Sequence, residues 1–255
     1  MKTWLLALAM LSAAPAAMAS PSPMSVQVTY DWYGWGSVSE RWLIQRDARG
    51  VVTRVQIAET PGAKARLPVL LSAGAMTAFE TALGAPALTR RASVERIAAR
   101  LDRPAMLALD PGLRRIPESK CSFSRQQEWA RQSLATHDLQ WRVARHFEGM
   151  WTDDGPLMTV VVKRSGRPDV VLVSTSQKVM MLPWKRLSSP TFDHQVLART
   201  PDEWRPALSE ALNALLPKGE RSRQRFQIGW LQGRLRNELA LEALGCAPGR
   251  EVSAR

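Results

Sequence analysis

Four residues that could do acid–base chemistry fall close together: His146, Glu148, Asp153 and Asp154. An imidazole oriented by a carboxylate is a general base, and paired acids can flank a glycosidic bond. Leu139, Trp141, Val143 and Phe147 alternate with Gln140, Arg142, His146 and Glu148. That period of two predicts a strand, with His146 and Glu148 projecting from one face. The same residues have a plainer reading. Asp153-Asp154-Gly155-Pro156 is ordinary turn chemistry, and an exposed strand face is normally polar. His146, Glu148 and Asp153 are therefore weak catalytic candidates, and His146 is expected on an open sheet face or rim.

Other side chains suit binding better than catalysis. Trp35 and Trp151 fall in or beside turns, where an exposed indole near arginine can stack on a sugar or anchor a protein contact. Trp42, Trp141 and Trp204 lie on apolar stripes and are expected in the core. Lys218, Arg221, Arg223 and Arg225 form a basic run leading into the last helix. It is either a solvated helix face or a patch for an anionic partner. Ser174-Thr175-Ser176-Gln177-Lys178 pairs hydroxyls with a lysine, but no oxyanion motif accompanies it. Cys121 and Cys246 are the two cysteines. In an exported chain they are expected to form a disulfide, the alternative being two buried free thiols.

The chain carries no G-x-S-x-G, no S-x-x-K, no H-E-x-x-H, no phosphate-cradling P-loop and no G-x-G-x-x-G. His137, His146 and His194 lack metal-ligand spacing, so neither a metal nor a cofactor is expected.

These residues are carried by alternating strand and helix signals. Residues 25–32, 38–46 and 51–57 read as an antiparallel meander, with Asp47-Ala48-Arg49-Gly50 as a hairpin turn. Pro61 to Pro68 reads as a linker. Helices are predicted over 73–83 with Ser72 as cap, after Ser93, and from Ser122 or Ser124 to Ala135. Residues 104–117 read as loop with a short turn. After the strand at 139–148, runs at 157–162 and 169–173 flank the Ser165–Pro168 turn, and 180–184 adds a short strand stopped by Pro183. Thr200-Pro201-Asp202-Glu203 reads as a capping box opening a helix to Pro217. A last helix is predicted over 223–244, with Gly245 as C-cap. The fold class is thus α+β: antiparallel sheet from two three-strand meanders, with segregated helices. Strands then helices occur over 24–101 and again over 139–245, as two similar halves or by coincidence of order, without a residue-by-residue repeat.

Residues 1–19 have the three parts of a signal peptide: Lys2, the apolar run Trp4–Leu11, and Ala17-Met18-Ala19 before the cut. The run is shorter than the ~20 residues of a membrane span, and no second one follows. Residues 20–255 are expected to form one exported globular domain in the periplasm or outside the cell. The formal charge of the whole chain is +12, and losing Lys2 with the signal leaves +11. Such a balance either keeps the protein soluble or favours an acidic partner, and export argues against nucleic acid. The sequence is therefore read as a non-enzymatic binding protein, its partner a protein or an anionic envelope component. A toxin-neutralising protein fits that class. The alternative is an envelope hydrolase using His146 with Glu148 or Asp153.

Overall fold

A computed structural model describes residues 22–33, 37–57, 67–107, 123–147, 156–175, 181–218 and 228–245. The fold is α+β, built on one eight-stranded antiparallel sheet. Its strands are β1 (Met24–Tyr33), β2 (Ser37–Arg46), β3 (Val52–Gln56), β4 (Val69–Leu71), β5 (Pro156–Arg164), β6 (Arg167–Ser174), β7 (Trp184–Leu187) and β8 (Asp202–Glu203). The spatial order is β4-β3-β2-β1-β5-β6-β7-β8. Each half of the chain lays down four consecutive strands as a meander, and the two meanders join where β1 pairs antiparallel with β5. One sheet of two four-strand meanders thus takes the place of two three-strand ones. The added outer strands β4 and β8 are only three and two residues long, too short for a period-two signal.

Turn chemistry closes the hairpins where the residues require it. Gly50 (φ 83°) ends the β2–β3 turn, and Asp47 Oδ1 accepts hydrogen bonds from the Arg49 and Val51 backbone N–H groups. Gly166 (φ 69°) turns β5 into β6. Both lie in the left-handed region that a side chain disfavours.

Alternation then decides which face is covered. Met24, Val26, Val28 and Tyr30 of β1, Trp42 and Ile44 of β2, and Met158, Val160 and Val162 of β5 are buried on one face. They share a core with α1 (Ala73–Gly84), α2 (Arg90–Ala99), α3 (Arg103–Leu107), α5 (Thr136–Arg145), α7 (Pro206–Leu215) and α8 (Ile228–Gly245). α4 (Phe123–Ser133) packs on α8, and α1 on α7. On the opposite face, α6 (His194–Arg199) covers only one end of the sheet, through Leu197 over Val171, Val173 and Leu187. Among the described residues no helix covers the opposite face of β1, β2 and β3, and Gln27, Arg41 and Gln45 there are exposed.

Several sequence expectations are corrected. Residues 139–147 are not a strand; they belong to α5 and its C-cap, His146. Leu139, Val143 and Phe147 recur every four residues, which serves a helix face as well as a strand face. Trp141 alone made the period look like two, and it is 46% exposed rather than core. α2 is capped by Thr89, whose hydroxyl accepts from the Ala92 N–H, while Ser93 is buried inside the helix. Thr200 caps the end of α6 and opens no helix. Asp202 and Glu203 pair with β7 instead, so α7 starts later, at Pro206. β7 begins after Pro183 and is not stopped by it. Residues 103–107 form a helix where loop was expected. The Ser72-capped helix, the first three strands and the Ser165–Gly166 hairpin are as expected.

Candidate binding surface

α2 and α5 pack side by side. Two contacts fix how they lie. At one end Arg103 of α3 reaches the Thr136 hydroxyl at the start of α5, at 3.4 Å. At the other, the Arg90 guanidinium lies 6.0 Å from the centre of the Trp204 ring, and Phe147 meets that same ring edge-on at 5.5 Å. The start of α2 therefore lies near the end of α5, and the two run antiparallel. Their buried residues are Ser93, Val94, Ile97 and Ala98 on α2, and Leu139, Arg142 and Val143 on α5.

The outward faces carry a different chemistry. Between Arg90 and Arg103 five arginines stand against two acids, Glu95 and Asp102, so this strip holds a net excess of cations. Arg91 and Arg96 are exposed, Arg91 pairing with Glu95 at 2.9 Å along the helix. Arg100 pairs with Glu210 of α7. On α5, Trp141 is exposed and the Arg145 guanidinium sits 4.8 Å from the centre of its ring. A cation over an indole face is an attractive pair worth about 0.5–1 kcal/mol at an exposed site. It also holds the ring in place, which lowers the entropy lost when a partner covers it.

His146 stands apart from this surface and is not on a rim. It is buried at the C-terminus of α5, and its Nε2 lies 3.2 Å from Glu238 Oε1 of α8. One turn earlier Arg142 donates to both oxygens of Glu242, at 3.1 and 2.7 Å. Residues four apart on each of two helices are thus cross-linked in reverse order, a two-rung ladder pinning α5 to α8. Arg142 also lies 5.7 Å from the centre of the Trp129 ring on α4. The carboxylate opposite His146 comes from a helix far along the chain, a pairing that local spacing does not reveal. Glu148 and Asp153 lie outside the described residues. So do Trp35, Trp151, Arg221, Arg223, Arg225, Cys121, Cys246 and residues 1–19. Lys218 is exposed after α7. Ser174 is buried on β6, and its hydroxyl has no hydrogen-bond partner among the described residues.

Two surface concavities can be described, and neither is lined by His146. The larger, about 510 Å³, lies at the hairpin end of the helix-free sheet face. The smaller, about 290 Å³, lies between α6, Thr175 and Lys185. Lys185 there is held by the Thr200 carbonyl at 2.7 Å and by Asp202 at 2.8 Å. Among the described residues no three His, Cys, Asp or Glu side chains gather as a metal site, and no helix is long and apolar enough to cross a membrane.

One group has a shifted titration. Burial raises the Glu203 pKa, but hydrogen bonds from Arg186 and Arg205 outweigh it, leaving the carboxyl below its ordinary range. These bonds tie β8 to β7 and to the start of α7. Comparison with family models, curated proteins and solved structures finds no match to this chain.

Proposed function

We propose that this is a non-enzymatic binding protein of the cell envelope, exported as a precursor, which holds an anionic envelope component on the outward face of α2 and α5. The observation that carries the reading is the exposed Trp141 under the Arg145 guanidinium on α5, the helix against which arginine-rich α2 packs. Trp and Arg are the residue types most often found at the centre of binding energy. The excess of cations supplies long-range attraction to an acidic partner. The net charge of the chain supports the same partner chemistry. The test is binding of the chain from Ser20 onward to an acidic glycan and to an uncharged one, over a range of salt. Binding to the acidic glycan alone, weakened by salt and by Trp141→Ala, is the expected result.

One observation favours a second reading, an envelope hydrolase: His146 faces a carboxylate at hydrogen-bond distance. In that reading Glu238 takes the orienting role, which the sequence had offered to Glu148 or Asp153. A folded His146→Gln protein that loses hydrolysis of an envelope polymer would select it. The ladder geometry supports a structural role instead, because Arg142–Glu242 repeats the same link one turn away with no catalytic chemistry.

A further inference from the structure

The helix-free sheet face ends in a notch whose floor is a single cross-strand row. Thr53 faces Gln45, Gln45 faces Ser25, and Ser25 faces Lys163. Neighbouring strands lie about 4.8 Å apart, so these four side chains present hydroxyl, amide, hydroxyl and ammonium groups in a line about 14 Å long. The next row on the same face is different. There Val55, Leu43, Gln27 and Val161 are in register, three of the four apolar. Beyond it the face turns polar again, with Arg41, Thr29 and Thr159 in register; what sets the notch apart is its concavity and the lysine at the end of its row.

The walls add charge and one unsatisfied donor. Lys163 is 64% exposed, and Asp169 approaches it only to 3.9 Å. Arg164 also lines the notch. Its Nε is buried and meets no hydrogen-bond partner among the described residues. Asp47, also in the lining, already accepts two backbone N–H groups in the β2–β3 turn, and Arg46 is neutralised by Glu80 at 2.8 Å. Lys163, whose ion pair with Asp169 spans 3.9 Å, and Arg164 are thus the cations that remain for a ligand, against one lining carboxylate, Asp47, that keeps its charge. Val51 and Pro23 supply exposed apolar surface at the rim. The volume of about 510 Å³ falls in the range of small-molecule sites, roughly 300–1,000 Å³.

The geometry points to a binding site for a small sugar phosphate, distinct from the α2–α5 surface. The dianionic phosphoryl group matches the Lys163 ammonium and the Arg164 guanidinium. Sugar hydroxyls, each donor and acceptor, match Ser25, Gln45 and Thr53. The carbon-bound ring face matches Val51 and Pro23. The occupant is a soluble ligand and not a membrane surface, because among the described residues the rim offers two exposed apolar side chains, Val51 and Pro23, for insertion.

The test titrates the chain from Ser20 onward with glucose 6-phosphate, followed by calorimetry or amide chemical shifts, with glucose and inorganic phosphate as separate probes. Saturable binding of glucose 6-phosphate is expected, tighter than either probe alone. Lys163→Glu removes a charge-assisted contact and should weaken it about tenfold or more. Arg236→Glu makes the same change of charge on exposed α8, and should leave binding unchanged. Lys163 is solvent-facing, so the variant folds; a circular dichroism spectrum matching the parent establishes this. Absence of saturation at about 20 mM, an affinity weaker than any useful site, overturns the proposal. So does equal weakening by Lys163→Glu and Arg236→Glu, equal binding of glucose, or Lys163-dependent binding to phosphatidylglycerol vesicles without binding of glucose 6-phosphate. None of these outcomes bears on Trp141 and α2.

Discussion

Cutting the upper rung of the α5–α8 ladder from each side separately should give unequal losses of stability. Arg142 is 8% exposed and Glu242 is 41% exposed. Glu242→Ala leaves a guanidinium in the interior without its two carboxylate acceptors; its Nε already lacks a partner among the described residues. Breaking a fully buried pair in this way costs about 3–5 kcal/mol. Because Glu242 is partly in water the cost here falls to about 2 kcal/mol. Helix propensity does not add to it, since alanine is the best helix former. Arg142→Met removes the charge but keeps the apolar stem, and the Glu242 carboxylate left behind rehydrates. What it loses is chiefly the contact with Trp129, about 1 kcal/mol. Urea unfolding followed by circular dichroism reads the difference as midpoints at unchanged slope. Glu242→Ala should unfold at the lower urea concentration, by about 1 kcal/mol relative to Arg142→Met. If Arg142→Met proves the more damaging, or if both stay within about 0.5 kcal/mol of the parent, the ladder does not hold α5 to α8 as described.

Other outcomes follow from the same geometry. His146→Ala should cost about 1–2 kcal/mol in the same urea assay, more than an exposed histidine would. Leu212 is fully buried in the main core, so Leu212→Ala should cost about 2–5 kcal/mol. Glu203 has a lowered folded pKa. The stability it provides is therefore present above its unfolded pKa, about 4.3, and is lost as pH falls through the folded value. Glu203→Gln should be less stable than the parent at pH 7, with the gap closing below about pH 4. Intact mass of exported protein should show a chain starting at Ser20 with no alkylatable thiol before reduction; Met1, or two alkylated thiols, would contradict export or the disulfide.

What was legible in the sequence follows the length of each signal. β1, β2, β3, β5 and β6 have five or more residues between clear turns, and their alternation separates the covered face from the open one. β4, β8 and α6 are too short to carry a period. The misread strand at 139–147 shows a different failure. Residues four apart satisfy both periods, so one exposed tryptophan on the strip tipped the reading. That error hid Trp141 among expected core residues, although a helical wheel drawn through Leu139 and Val143 places it outside. The partner of His146 was beyond reach for another reason. Glu238 is brought to it only by the packing of two helices separated by half a sheet, and no local spacing records that contact.

The central claim, that α2 and α5 present an anion-binding surface, is tested most directly by one measurement: affinity for an acidic glycan as a function of salt, for the parent, Trp141→Ala and Arg91→Glu/Arg96→Glu. Parent affinity should fall steadily with salt. Trp141→Ala should lose about tenfold at every salt, as an anchoring side chain does. Arg91→Glu/Arg96→Glu should flatten the salt dependence. Three superimposable curves, or affinity indifferent to salt, would contradict it.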